Sequence, residues 1–440
     1  LRTVTGVQTC ALPISYAASN DFINVDNLGR LTNTFAFGLS GATISLNAGG
    51  TLLNNSTANT LSGAVVRLNG GTLYFNADAG GLGTAATPMG SLQIWGNSTI
   101  TNFNANGTAS IYRNALLDFT VGGKTLTLAG NATGGGLRYD FDQAVISNSG
   151  TIVFSKTGAG SNLASIFSNV TLTAGSTLMV SNQTPGQTTG TLTLNGNNSG
   201  ITGAIDIRSG AIVVANASNA LGAATVTINN GGTLNIATAF ASGTSTSTVN
   251  SGGILALNGG TAAAVNGALQ SAVVRLNGGV LYNNYSAGNF GAAVTPGGNI
   301  QVLADAVITN FNANNSASAI THSNLDFTGA GVTLTLAGDI AAAGGISLTF
   351  ANVTLTNNST VAFARTGVGA GALTATFSNF TGAAGNTLTV TNRTGSLTGT
   401  LTFLGNNVGP GIAVNIGSNV TVVASVNNLL GTPTTTVNAG

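Results

Sequence analysis

The chain has 440 residues, 64 of them glycine, with 5% charged residues, a net charge of +1, no glutamate, and lysine only at Lys124 and Lys156. An ordinary soluble domain carries roughly 25% charged residues; the cations here are too few for a nucleic-acid footprint or a polybasic membrane patch. The 43% hydrophobic content argues against disorder, because disordered chains lack the apolar surface to offset chain entropy, and no apolar run is long enough to suggest a membrane-spanning helix.

Residues 3–15, TVTGVQTCALPIS, contain the only cysteine, Cys10, and nothing like them recurs. Val4 to Ile14 corresponds to the translation of a DNA stretch that resembles a common short-read sequencing adapter. Residues 1–14 are therefore expected to be an artefact and are set aside from fold reasoning. Without them the chain has no cysteine.

From residue 15 onward Val, Ile, Thr and Phe dominate the apolar segments, while Glu, Lys, Gln and Met are scarce, as strands prefer. Period-two alternation is interrupted by Asn-x-Gly-Gly or a close variant in ISLNAGGTLL (Asn47), VRLNGGTLY (Asn69), VTINNGGTLNI (Asn229), TVNSGGILAL (Asn250) and VRLNGGVLY (Asn277). The glycine pair supplies positive φ at a corner, and asparagine can bond its own backbone there. From Asn47 to Asn69, and from Asn229 through Asn250 to Asn277, the corner returns after twenty-odd positions.

Strand, corner, strand at that spacing predicts an all-β parallel β-solenoid, with coils about 4.8 Å apart. Inward Leu, Val and Ile stack as a core, outward Thr, Ser and Asn face water, and stacked Asn form side-chain ladders. About 22 residues per coil would give on the order of 19 coils in a single elongated rod of roughly 90 Å. One coil cannot outweigh the entropy of ordering its own residues; neighbouring coils are required. Uncharged end coils are expected to self-associate end to end.

A longer repeat overlies this one. AVVRLNGGTLYFN around Arg67 returns as AVVRLNGGVLYNN around Arg275, TITNFNAN at Ile100 as VITNFNAN at Ile308, and KTLTLAG at Leu126 as VTLTLAG at Leu334, each offset by 208; GTLTLNGNN at Gly190 returns at Gly399, offset by 209. The organisation read from this is a first unit over 15–237 and a second, continuous and truncated, over 238–440. The closing TTVNAG aligns with TINNG at Ile228 to Gly231, after which the first copy continues with Gly232, Thr233 and Leu234. An internal fragment is therefore expected.

Few residues carry chemistry. Arg67 with Arg275, and Asp118 with Asp326, recur in both copies, which suggests a structural task such as a turn hydrogen bond or a pair between coils. Trp95, Tyr112 and Tyr139 could stack on sugar rings if exposed; capping a core or filling a loop is the plainer reading. Asp140 and Asp142 in RYDFDQ lie two apart, on one face of a strand, and could bind Ca²⁺ or act as acid and base on a sugar. Solvated charges beside Arg138 are the plainer reading, since the second copy has SLTFAN there.

His322 in THSNLDF, with Ser323 and Asp326 nearby, hints weakly at nucleophilic catalysis; a surface turn residue is favoured. A zinc site is implausible with one histidine and no native cysteine. The glycine runs at Gly158 and Gly367 lack the Lys-Ser/Thr of a phosphate loop. Asn97-Ser98-Thr99 is a sequon expected by chance in so Asn/Thr-rich a chain. No catalytic, cofactor-binding or metal site is assigned.

Residues 191–237 read TLTLNGNNSGITGAIDIRSGAIVVANASNALGAATVTINNGGTLNIA. Thr191 to Leu194, Gly196 and Asn197, Thr202 and Gly203, Gly210, Val213 and Val214, Ala220 to Gly222, and Gly232 to Leu234 resemble the autotransporter-associated β-strand repeat of passenger domains in type V secreted bacterial proteins. Ile201 stands where the family usually has an aromatic, and Pro410 interrupts the second copy. The match covers about a tenth of the chain. It implies a right-handed parallel β-helix, extracellular or displayed at a bacterial outer-membrane surface, and implies no catalytic activity.

The reading that follows is a non-enzymatic passenger or stalk, adhesive or structural. Its expected partners are host or environmental polysaccharide or other cell-surface ligands, without nucleic acid, cofactor or membrane span. Two alternatives stand beside it. A polysaccharide lyase or glycosidase on a β-helix would need clustered charged groups in a groove. An ice-binding array of outward Thr-x-Thr would need coils of uniform length.

Overall fold

A computed structural model describes residues 2–4, 22–33, 39, 41–54, 61–76, 89–104, 110–132, 136–156, 163–183, 189–258, 266–284, 295–311, 318–339, 345–365, 372–393, 398–405, 411–425 and 435–437. Residues 5–14, with Cys10, lie outside these, as do the glycine runs at Gly158 and Gly367, Pro410 and residues 438–440. The chain falls into two compact units, Leu1–Val214 and Ala215–Gly440. Each is an all-β parallel solenoid, and no helix occurs among the described residues.

In the first unit, successive strands alternate between two sheets. One sheet holds Phe22–Val25, Thr43–Asn47, Val65–Asn69, Met89–Ile94, Ser110–Asp118, Leu137–Ile146, Leu163–Leu172 and Gly190–Leu194, each parallel to the next. The other runs from Arg30–Asn33 through Thr51–Asn54 and Lys124–Ala132 to Ala204–Ile207. The second unit repeats the plan. One of its sheets runs from Thr225–Ile228 to Val420–Ala424. The other runs from Thr233–Ile236 to Thr435–Val437.

The coils are uneven. One of the shortest takes Phe22 to its rung partner Thr43, and one of the longest takes Ser359 to Leu388. Most are longer than the corner spacing suggests, so the chain makes fewer coils than that spacing gives. The cause is visible in strands such as Leu137–Ile146, where buried and half-buried positions alternate until Asp142 and Gln143 both face outward. Ala351–Asn352 and Ser378–Asn379 do the same. Two consecutive outward residues break the pleat's alternation, so each long strand is two inward-facing pieces joined at a bend.

Positive φ and asparagine stacking are both present at the corners. In the Asn-x-Gly-Gly corners the first glycine has positive φ (Gly49 +77°, Gly252 +74°). The second meets the coil beneath: a Cβ on Gly50 would lie 2.2 Å from the Val25 carbonyl oxygen. The asparagines stack. Asn69 Nδ2 donates to Asn47 Oδ1 (3.0 Å), and Asn47 Nδ2 donates to Asp26 Oδ1 (2.7 Å), which ends the ladder. In the second unit Asn277 donates to Asn250 and Asn250 to Asn229, both at 2.9 Å. A further ladder, Asn379 to Asn352 to Asn324 to Asn299, follows the bends.

The cores are aliphatic with aromatic stacks. In the second unit Phe350, Phe377 and Phe403 occupy one inward rung position with ring centroids 6.0 and 5.7 Å apart. Each fully buried side chain of this size contributes about 1.5–3 kcal/mol.

Candidate functional site

The outward ladder Asn24, Ser45, Arg67, Gln93, Asp118 crosses five adjacent coils of the first unit in register. Arg67 and Asp118, noticed separately because each recurs, therefore share one line, with Gln93 between them. Arg67 Nε donates to Gln93 Oε1 (3.1 Å). In the second unit Arg275, Gln301 and Asp326 repeat the arrangement, with Arg275 Nε again 3.1 Å from Gln301 Oε1. The arginine is thus a pair between coils. Gln93 and Gln301 went unnoticed because they carry no charge, although their own recurrence was the signal.

The first unit adds aromatics. The Arg67 guanidinium carbon lies 5.2 Å from the Phe22 ring centroid and 5.3 Å from that of Trp95, with the rings 39% and 40% exposed. A cation over an aromatic face is attracted by the ring quadrupole. In the second unit Thr225 holds the rung of Phe22, by the register Thr225–Thr246–Val273, and Leu303 the place of Trp95. Trp95 is therefore on the surface, whereas Tyr112 and Tyr139 are fully buried.

Tyr112 and Tyr139 pack edge to face at 5.8 Å. Burial pushes both hydroxyls well above the usual tyrosine range. Asn114 Nδ2 donates to the Tyr112 hydroxyl, and the Tyr139 hydroxyl donates to the Ala129 carbonyl. These two tyrosines fill the core and do not form a sugar platform.

Asp140 and Asp142 share the outward face, as their spacing predicts, and each is held by an arginine. Arg138 forks onto Asp140 through Nε (2.8 Å to Oδ1) and Nη2 (2.7 Å to Oδ2). Arg113 reaches from the neighbouring coil to Asp142 Oδ1 through Nε (2.9 Å) and Nη2 (2.7 Å). Arg113 was not expected there; it lies opposite Asp140 and reaches diagonally. Each carboxylate thus accepts an arginine's hydrogen bonds from one side.

His322 corrects an expectation. It is not a surface turn residue: it is fully buried in the strand Ser318–Phe327, facing inward and stacked on Phe350 at 5.7 Å. Its Nδ1 lies 3.1 Å from the Gly297 carbonyl oxygen, which makes Nδ1 the protonated nitrogen of the neutral ring. Nε2 has no partner among the described residues. Burial lowers its pKa to about 4, with the Gly297 bond opposing that shift. Asp326 faces outward on the same strand, so the two do not meet.

Two more features were missed. Lys156 and Arg365, which match by the 209 offset, are 3% and 5% exposed, and burial lowers the Lys156 pKa. On the first unit's other sheet, Arg30, Thr51, Leu53 and Tyr74 line a cavity of about 420 Å³. Among the described residues no three of His, Cys, Asp or Glu lie close enough to share a metal ion. No helix there is long and apolar enough to cross a membrane. No family model matches the chain, and no curated protein matches its sequence.

Proposed function

We propose that the chain is a non-enzymatic bacterial surface or secreted passenger, whose coils serve as an adhesive or structural scaffold. The observation that carries this reading is the engagement of charge: the two carboxylates best placed for acid–base work, Asp140 and Asp142, each accept an arginine fork. A glycosidase pair needs one carboxyl held protonated and the other free to reach the anomeric carbon. Here both carboxylates are instead occupied by charge-assisted hydrogen bonds from arginines. The resemblance of residues 191–237 to the autotransporter-associated repeat supports export and display. The uneven coils, from the short step between Phe22 and Thr43 to the long one between Ser359 and Leu388, disfavour the flat threonine array that ice binding requires.

Two measurements test the reading. A contiguous genomic read of the source locus should show an export signal and an outer-membrane translocator in the same gene; a catalytic domain and no export route would overturn it. Incubation of the full chain with a polysaccharide panel should release no new chain ends. Release abolished by Asp140→Asn with Asp142→Asn would assign an enzyme instead.

A further inference from the structure

We propose that Phe22, Arg67 and Trp95 form a binding site for an acidic, uronate-type polysaccharide. The proposal rests on the reading above and names the ligand class. The Arg67 guanidinium is fixed on three sides: Phe22 at 5.2 Å, Trp95 at 5.3 Å and Gln93 Oε1 at 3.1 Å from Nε. Its Nη1 and Nη2 donors have no partner among the described residues, and no carboxylate there pairs with it. A guanidinium held at Nε and over two ring faces presents the remaining planar edge, which matches a carboxylate bidentately.

The two rings are each about 40% exposed, so apolar surface remains beside the cation for the face of a sugar ring. Asn24 and Ser45, half-buried rungs of the same ladder, offer neutral donors and acceptors for hydroxyls. An acidic peptide would need further cations along the line, yet the ladder's other charged member is Asp118. The second unit is an internal control. It keeps Arg275 and Gln301 at the same 3.1 Å but has Thr225 and Leu303 in place of the rings. The coil-to-coil bond alone is therefore sufficient for the solenoid, and the aromatics serve another purpose.

Trp95 is the chain's only tryptophan, so its fluorescence reads this site directly. Full-length protein is titrated with an oligogalacturonate, a neutral galactose oligomer of equal length and a poly-aspartate peptide. The expected result is a saturable change in Trp95 emission with the uronate alone. Equal affinity for the neutral oligomer overturns the acidic requirement, equal affinity for the peptide overturns the sugar, and no change with any ligand overturns the site.

Arg67→Gln, Arg67→Lys and Trp95→Leu should each weaken uronate binding tenfold or more, the tryptophan-free variant being followed by calorimetry. Arg275→Gln should leave binding unchanged. All are outward positions, and an unaltered far-ultraviolet circular dichroism spectrum checks the fold. Arg67→Lys binding as tightly as the parent overturns the bidentate contact. Cleavage of the oligogalacturonate would overturn the non-enzymatic reading and leave the site standing; absence of both binding and cleavage would overturn the site and leave that reading standing.

Discussion

His322 and Asn114 occupy equivalent inward positions and solve the same problem differently. Asn114 uses the Tyr112 hydroxyl beside it. The second unit has Ile320 at the tyrosine's place, so the polar residue turns to a backbone carbonyl and stacks on Phe350. The cost falls on the charged form of the ring. A pKa of about 4 in the fold against about 6.5 unfolded means the unfolded chain binds more protons between these values, so stability falls as pH drops through that window. The shift corresponds to about 3 kcal/mol, fully lost by about pH 4. His322→Phe should extend the phenylalanine stack and remove this slope. Urea unfolding of parent and variant from pH 7 to 4 checks it; parallel curves would show that His322 does not set the slope.

The sequence misplaced His322 for a physical reason. Counting back by twos from Leu325 and Phe327, both inward, makes His322 outward. The bend at Ser323–Asn324 shifts the phase, so Ile320 and His322 face inward instead. Periodicity alone carries no mark of where a strand bends. Arg67 and Asp118 were legible because charge is rare in this chain, and recurrence of a rare type stands out. The rings beside Arg67 were not linked to it, because Phe22 lies two coils from the arginine and only register brings them together.

At the scale of the element, the corner was legible in part: positive φ and asparagine stacking could be read from the sequence, the close approach at the second glycine could not. Asn-x-Gly-Gly asks for positive φ at the first glycine and for close approach at the second, and these are separable. Gly253 would place a Cβ 2.5 Å from the Ile228 carbonyl oxygen, and a backbone group cannot step aside cheaply. Gly253→Ala should destabilise by about 1–3 kcal/mol, the usual cost of overpacking. Gly175 has φ +82° with open space around it. Asparagine tolerates that conformation, so Gly175→Asn should cost less than about 1 kcal/mol. Denaturant midpoints for the two variants decide the matter; equal losses would mean that backbone conformation, not proximity, dominates.

The asparagine ladders follow from the same corners. Stacking in register places each amide next to its neighbour's oxygen, so one asparagine per coil becomes a chain of hydrogen bonds. Asn250 is the middle member of its ladder, accepting from Asn277 and donating to Asn229. Asn250→Ala interrupts both bonds at a half-buried position and should cost about 1–2 kcal/mol. Asn277→Ala, which removes one of these bonds from an exposed position, should cost less. The thermal unfolding of both variants tests this order.

For the whole molecule, stacked coils behave as a nearly one-dimensional array, in which each coil is held by its neighbours. Acid then acts on the two units unequally. The first unit's ion pairs, Arg113 with Asp142 and Arg138 with Asp140, are partly exposed, and such pairs contribute about 0–1 kcal/mol each. The second unit's buried histidine is worth about 3 kcal/mol across the window from pH 6.5 to 4. Between pH 6.5 and 4 the second unit should therefore loosen first. Hydrogen exchange followed by mass spectrometry reads this directly. Peptides covering Ile346–Leu355 and Leu373–Gly382 should lose protection at a higher pH than those covering Leu137–Ile146 and Leu163–Leu172. In His322→Phe the two sets should exchange together; the reverse order in the parent would overturn His322 as the acid-sensitive group.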